Sequence, residues 1–91
     1  MVNKRIKYYP NVIGFISVRL KKKFPKAKPN ESQENMPAYL LWMMKEMQKF
    51  DDSVKAGRWI GWIMAHAEVL GIMTNKQSRR LARMDCKRGF I

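Results

Sequence analysis

The chain has 91 residues and a formal charge of +12, from 19 Lys/Arg against 7 Asp/Glu. Hydrophobic side chains make up 46% of it and charged ones 29%, which fits a globular domain and excludes a disordered polymer. One domain is all this length allows, and a single cysteine, Cys86, excludes an internal disulfide framework and fits a reducing cytoplasm.

The charge comes in blocks. Residues 1–28 carry nine Lys/Arg and no acid, 29–73 carry four basic and six acidic residues, and 74–91 carry six basic residues against Asp85. Two cationic ends thus flank a near-neutral apolar middle, a field that draws in polyanions or acidic protein surfaces.

Residues 1–10 read as a basic arm ending at Pro10. Asn11 is positioned to cap a helix reaching Phe24, since Ile13, Ile16, Leu20 and Phe24 recur at helical spacing. Lys21, Lys22 and Lys23 would fall in its last turn, where the helix dipole favours cations. The β-branched Val12, Ile16 and Val18, with Gly14, leave a strand over 12–20 as the alternative. The segment also does not read as a leader, because Arg19 and the lysine run follow without a small-residue cleavage site. Residues 25–35 (PKAKPNESQEN) hold two prolines and no large apolar side chain, and read as a linker.

Pro37 suits the first turn of a second helix. Met36, Leu40, Met43, Met44, Met47 and Phe50 give it one broad apolar face over 36–50. Asp51-Asp52-Ser53 breaks that pattern and caps a third helix from Val54 to about Leu70, closed by Gly71 in a left-handed turn. Apolar residues surround this helix, which predicts burial on more than one side. Gly57, Gly61 and Ala65 would form a flat strip open to close approach by another helix or a second copy of the chain. The apolar run Trp59–Met73 is fifteen residues and includes His66 and Glu68, short of the roughly 20 apolar residues of a membrane span. Thr74 with Gln77 reads as a capping box opening a last helix to about Lys87. The expectation is an all-α domain: a hydrophobic hairpin (36–50 with 54–70), a basic C-terminal helix and a basic N-terminal segment of helix or strand. By segment this divides into 1–24 as arm or helix, 25–35 as linker and 36–91 as helical domain.

The chemistry favours binding over catalysis. His66 is the lone histidine and lies twenty positions from Cys86, on a different expected helix. No Cys/His pair, metal cluster or phosphate-cradling glycine loop is legible, and neither an enzyme nor a cofactor is expected. Asp51 and Asp52 with Glu46 could touch a cation, but two acids between helices read better as caps. The clearest pattern is the stripe Lys76, Arg80, Arg83 and Lys87, with Arg79 and Arg88 beside it, set against the ordinary reading of a solvated face. Ala67, Gly71-Ile72 and Ser78-Arg79 fit part of a helix-turn-helix pattern, yet Gln77 stands where that motif needs an apolar side chain. Trp42, Trp59 and Trp62, with Arg58, could stack on bases, although tryptophans in apolar helices more often anchor a core or a protein interface.

The run KAGRWIGWIMAHAEVLGIMTNKQSRRLAR (Lys55–Arg83), following a Met/Trp-rich helix, resembles small accessory proteins of lambdoid phages and prophages, of the type that binds and modifies the host RecBCD recombination nuclease. The resemblance implies a non-enzymatic modulator in the host cytoplasm, working by contact with a protein machine that acts on DNA. The candidate contact residues come from the physical reading: Lys21, Lys22, Lys23, Trp42, Arg58, Trp59, Trp62, Lys76, Arg79, Arg80, Arg83, Lys87 and Arg88. In that expectation, Met and Trp side chains of the hairpin form the apolar centre of the interface and the arginines its rim. The alternative is direct nucleic-acid binding through the two basic ends, and self-association through the glycine strip is compatible with either.

Overall fold

The computed structural model describes residues 6–87. It holds four helices: α1 (Pro10–Lys23), α2 (Met36–Glu46), α3 (Ser53–Val69) and α4 (Asn75–Lys87). A single 3-10 turn, Met47–Lys49, extends α2, and no strand is present among the described residues. The chain is therefore an all-α domain, and the open choice over 12–20 resolves as helix.

Each boundary has a local cause. α1 begins at Pro10, whose fixed φ suits the first helical position, after Tyr9 in the left-handed region (φ 53°). Asn11 lies inside the helix and does not cap it, because Pro10 already starts the helical backbone one residue earlier. The opening amides of α1 are satisfied instead by a residue 74 positions away, described below. At α2, the Asn35 side chain accepts from the Ala38 amide and Pro37 occupies the first turn. Asp52 caps α3 by accepting from the Val54 and Lys55 amides, at 2.9 and 3.4 Å. At the far end of α3, Gly71 adopts φ +75°, and the Ile72 amide bonds back to Ala67 O at 3.0 Å. The capping box at α4 is present in both directions: the Thr74 amide donates to Gln77 Oε1 at 2.9 Å and the Gln77 amide to Thr74 Oγ1 at 3.1 Å.

One core runs through all four helices. Val12, Ile16 and Leu20 of α1 meet Leu40, Met43, Met44 and Met47 of the α2 segment, Ile60 and Ile63 of α3, and Leu81 of α4. The core therefore recruits α1 across residues 25–35, and the radius of gyration, 12.1 Å, is that of a single domain of this length. Two sequence expectations change here. The methionines of α2 are core fillers, with Met43, Met44 and Met47 at most 5% exposed, so they do not supply a docking surface. α3, expected to be buried on more than one side, is fully buried along the one face of Ala56, Ile60, Ile63 and Ala67, with Trp59, Trp62 and Met64 half-buried and Val54, Gly61, Ala65 and Val69 exposed. No second helix closes on its small-residue strip. A Cβ at Gly57 would meet the Tyr9 hydroxyl at 3.5 Å, while one at Gly61 would meet nothing within 4 Å.

The N-terminal segment is pinned. Gln48 Oε1 accepts from the Lys7 and Tyr8 amides at 2.6 and 2.7 Å, its Nε2 donates to Tyr8 O at 3.1 Å, and the Tyr8 hydroxyl donates to Phe50 O at 2.7 Å. Tyr8 and Tyr9 are both buried. Burial raises the Tyr9 phenol above its ordinary pKa, with smaller contributions in the same direction from Cys86 and Asp85.

Candidate functional surfaces

α2 and α3 bring together side chains that the chain spaces widely apart. Trp42 stacks on Tyr39 with ring centroids 5.7 Å apart, and Tyr39 meets the edge of Trp62 at 5.5 Å. Trp42 and Trp59 lie 6.0 Å apart, and Phe50 stands edge-on to Trp59 at 4.7 Å. His66 extends the row by stacking on Trp62 at 3.6 Å, its Nδ1 held 2.9 Å from Trp62 O. Every ring is half-buried, so the aromatic bodies pack on one another and keep an edge in water. Beside them opens a cleft of about 380 Å³ lined by Gln33, Tyr39, Met43, Arg58, Trp59 and Trp62. Two cations border this shelf: the exposed Arg58, and Lys55, whose Nζ lies 4.4 Å from the Phe50 ring centroid.

The structure thus assembles Trp42, Arg58, Trp59 and Trp62 as the sequence anticipates. It adds Tyr39 and Phe50, which sequence reading missed. Tyr39 stands three positions before Trp42, one helical turn away, so pairing 39/42 with 59/62 across the hairpin was the available signal.

A second surface belongs to α1 and α4, which pack against each other in antiparallel sense. The joint is polar. Asp85 is fully buried, and its carboxylate accepts from the Asn11 amide at 3.1 Å, the Asn11 side-chain amide at 2.7 Å and the Val12 amide at 3.1 Å. A carboxylate on α4 therefore caps the positive end of α1. The sequence reading counted Asp85 only as the one acid in a basic block. At the other end of α1, Lys23 donates to Leu70 O at 2.6 Å and caps the last turn of α3.

Turning Asp85, Leu81 and Ser78 inward forces the rest of α4 outward. Lys76, Arg79, Arg80 and Arg83 are all exposed. From α1, Lys21, Lys22 and Arg19 are exposed as well, with the Arg19 guanidinium 4.7 Å from the Phe15 ring centroid. Among the described residues the one ion pair is Glu46–Lys49, on the hairpin, so no carboxylate lies within 4 Å of these cations. Glu68 comes nearest: it lines a cleft with Arg19, but its Oε2 takes the Ser78 hydroxyl at 2.8 Å. Lys87 closes α4, and Arg88 lies outside the described residues. Arg79 alone of the stripe turns toward α3, beside Gly61, Ala65 and Ala82.

The helix-turn-helix reading gains nothing from this geometry. Gln77 is spent on the capping box, and α4 lies chiefly on α1 instead of seating across α3. His66 and Cys86 sit on different helices. No group of three His, Cys, Asp or Glu side chains among the described residues could hold a metal ion, and no described helix is long and apolar enough to cross a membrane. No protein-family model, curated protein or solved structure matches this chain.

Proposed function

We propose that this chain is a non-catalytic accessory protein that docks on a large protein machine acting on DNA, with the aromatic shelf of α2 and α3 as its contact centre. The observation that carries this reading is the half-buried row of five aromatic rings with Arg58 at its edge, on a domain whose Met43, Met44 and Met47 are already used in its core. Large flat rings that keep an exposed edge, next to an arginine, are the composition of interface anchors. The sequence resemblance of Lys55–Arg83 to phage accessory proteins directs the proposal to the RecBCD class of partner.

The test is capture of the tagged protein's partners from bacterial extract after exhaustive nuclease digestion, followed by reconstitution with the purified recombination nuclease. One stoichiometric protein complex retained through digestion, and lost with the Trp59→Ala/Trp62→Ala variant, is the expected result. Retention by that variant, or loss of every partner on digestion, overturns the reading.

A further inference from the structure

We infer that the outer face of the α1–α4 pair is a second binding surface, which holds the phosphate backbone of duplex DNA without reading its sequence. This inference does not depend on the aromatic shelf. It rests on where charge is placed and what it is placed with.

Arg19 and Lys22 of α1 and Lys76, Arg80 and Arg83 of α4 are exposed, and none has a carboxylate within 4 Å among the described residues. The one acid on these two helices, Asp85, is buried and fully engaged by the α1 amides, so it does not neutralise the surface. The remaining described acids belong to the linker, the hairpin and the α2–α3 turn, apart from Glu68 with its Ser78 contact. The molecule is therefore electrically lopsided, and its cationic side is built on two packed helices joined by a buried latch.

The chemistry of that side suits a phosphate backbone. Lys76, Arg80 and Arg83 project from the face of α4 opposite its buried Ser78, Leu81 and Asp85, and span seven residues, about 10 Å along the axis. Guanidinium groups take phosphate oxygens in pairs, and two of these three are arginines. Arginine and lysine also read guanine when a helix enters the major groove, but α4 is packed along α1 and is not seated across α3 as a recognition helix. Its outer face carries no flat ring to stack on; the aromatic shelf lies on the α2 flank of α3, whereas α4 lies on the other. A backbone of regular charge spacing suits such a face, and duplex DNA presents one negative charge per roughly 1.7 Å of axis.

The experiment is fluorescence anisotropy of the full chain with a labelled mixed-sequence duplex of about 20 base pairs, over a salt series, beside a single strand of the same length. Five phosphate contacts predict a slope of log affinity against log salt near −4.5. Arg80→Glu/Arg83→Glu should flatten it by about two and weaken binding by tenfold or more at low salt. Trp59→Ala/Trp62→Ala should leave the slope unchanged, and circular dichroism of each variant confirms that the helices persist. An unchanged slope in the arginine variant, tighter binding of the single strand that depends on Trp59 and Trp62, or no duplex binding at low salt each overturns the inference. The first and third of these outcomes leave the aromatic shelf's engagement of a protein untouched, whereas the second would reassign the shelf to nucleic acid.

Discussion

The hairpin of α2 and α3 and the pair of α1 and α4 are held together by different means. In the hairpin, apolar and aromatic side chains do everything: Leu40, Met43, Met47, Ile60 and Ile63 fill the core, and Tyr39, Trp42, Trp59 and Trp62 continue the same packing out to the surface. The outer pair adds to the apolar contact of Leu81 a single buried carboxylate that fixes α4 against the start of α1. With Asp85 carrying part of that joint, few side chains of α4 are needed inward, and its outer face is free for Lys76, Arg80 and Arg83, none of which has a carboxylate partner among the described residues. How a helix is attached thus decides what it can display.

Breaking the latch should have the largest effect. Asp85→Ala strands two helix-opening amides and the Asn11 side chain in a buried site, and should cost about 3 kcal/mol or more in urea unfolding. In native-state hydrogen exchange the amides of α1 and α4 should lose protection before those of α2 and α3. Uniform loss across the four helices would show that the two halves are not held differently.

The next effect tests the clamp between the arm and the hairpin. Gln48→Ala removes three hydrogen bonds to Lys7 and Tyr8 and should cost about 1–2 kcal/mol. Its signature is faster exchange at Lys7 and Tyr8 and faster proteolysis before Pro10. Gly71→Ala sharpens the junction of the halves. Its φ of +75° and the Lys23 Nζ 3.2 Å from the new Cβ predict a loss of about 1 kcal/mol. Lowest of all stands Arg80→Glu/Arg83→Glu, which should move the unfolding midpoint by an amount worth at most about 0.5 kcal/mol, because both side chains are exposed. A larger loss would mean that these arginines hold the fold and are not free for a ligand.

The legible parts of the structure were those with local causes. Pro37, Asp52, Gly71 and the Thr74/Gln77 box each act within a few residues, and the sequence places them correctly because their chemistry is complete within one turn. The basic stripe was legible for the same reason, since a helix of 3.6 residues per turn sorts Lys76, Arg80 and Arg83 to one side wherever it packs. What could not be read were contacts between residues more than 40 positions apart. Asp85 looked like a stray acid in a basic block, because its value lies in the amides of Asn11 and Val12. Nothing near Gln48 in the chain marks it as the clamp for Lys7 and Tyr8, and Tyr8 and Tyr9 fall in a segment that reads only as a basic arm. The methionines misled in the other direction: a flexible apolar side chain suits a core and a docking surface equally, and only burial separates the two.

If the two halves engage two different ligands, a cross-comparison of two double variants separates them. Trp59→Ala/Trp62→Ala and Arg80→Glu/Arg83→Glu would each be titrated against the purified protein partner in nuclease-treated form and against the DNA duplex. The expected result is a clean crossing: the tryptophan variant loses the protein and keeps the duplex, while the arginine variant loses the duplex and keeps most of its affinity for the protein. Loss of both ligands by either variant, with its helices intact, would contradict the division of labour and leave one composite surface in its place.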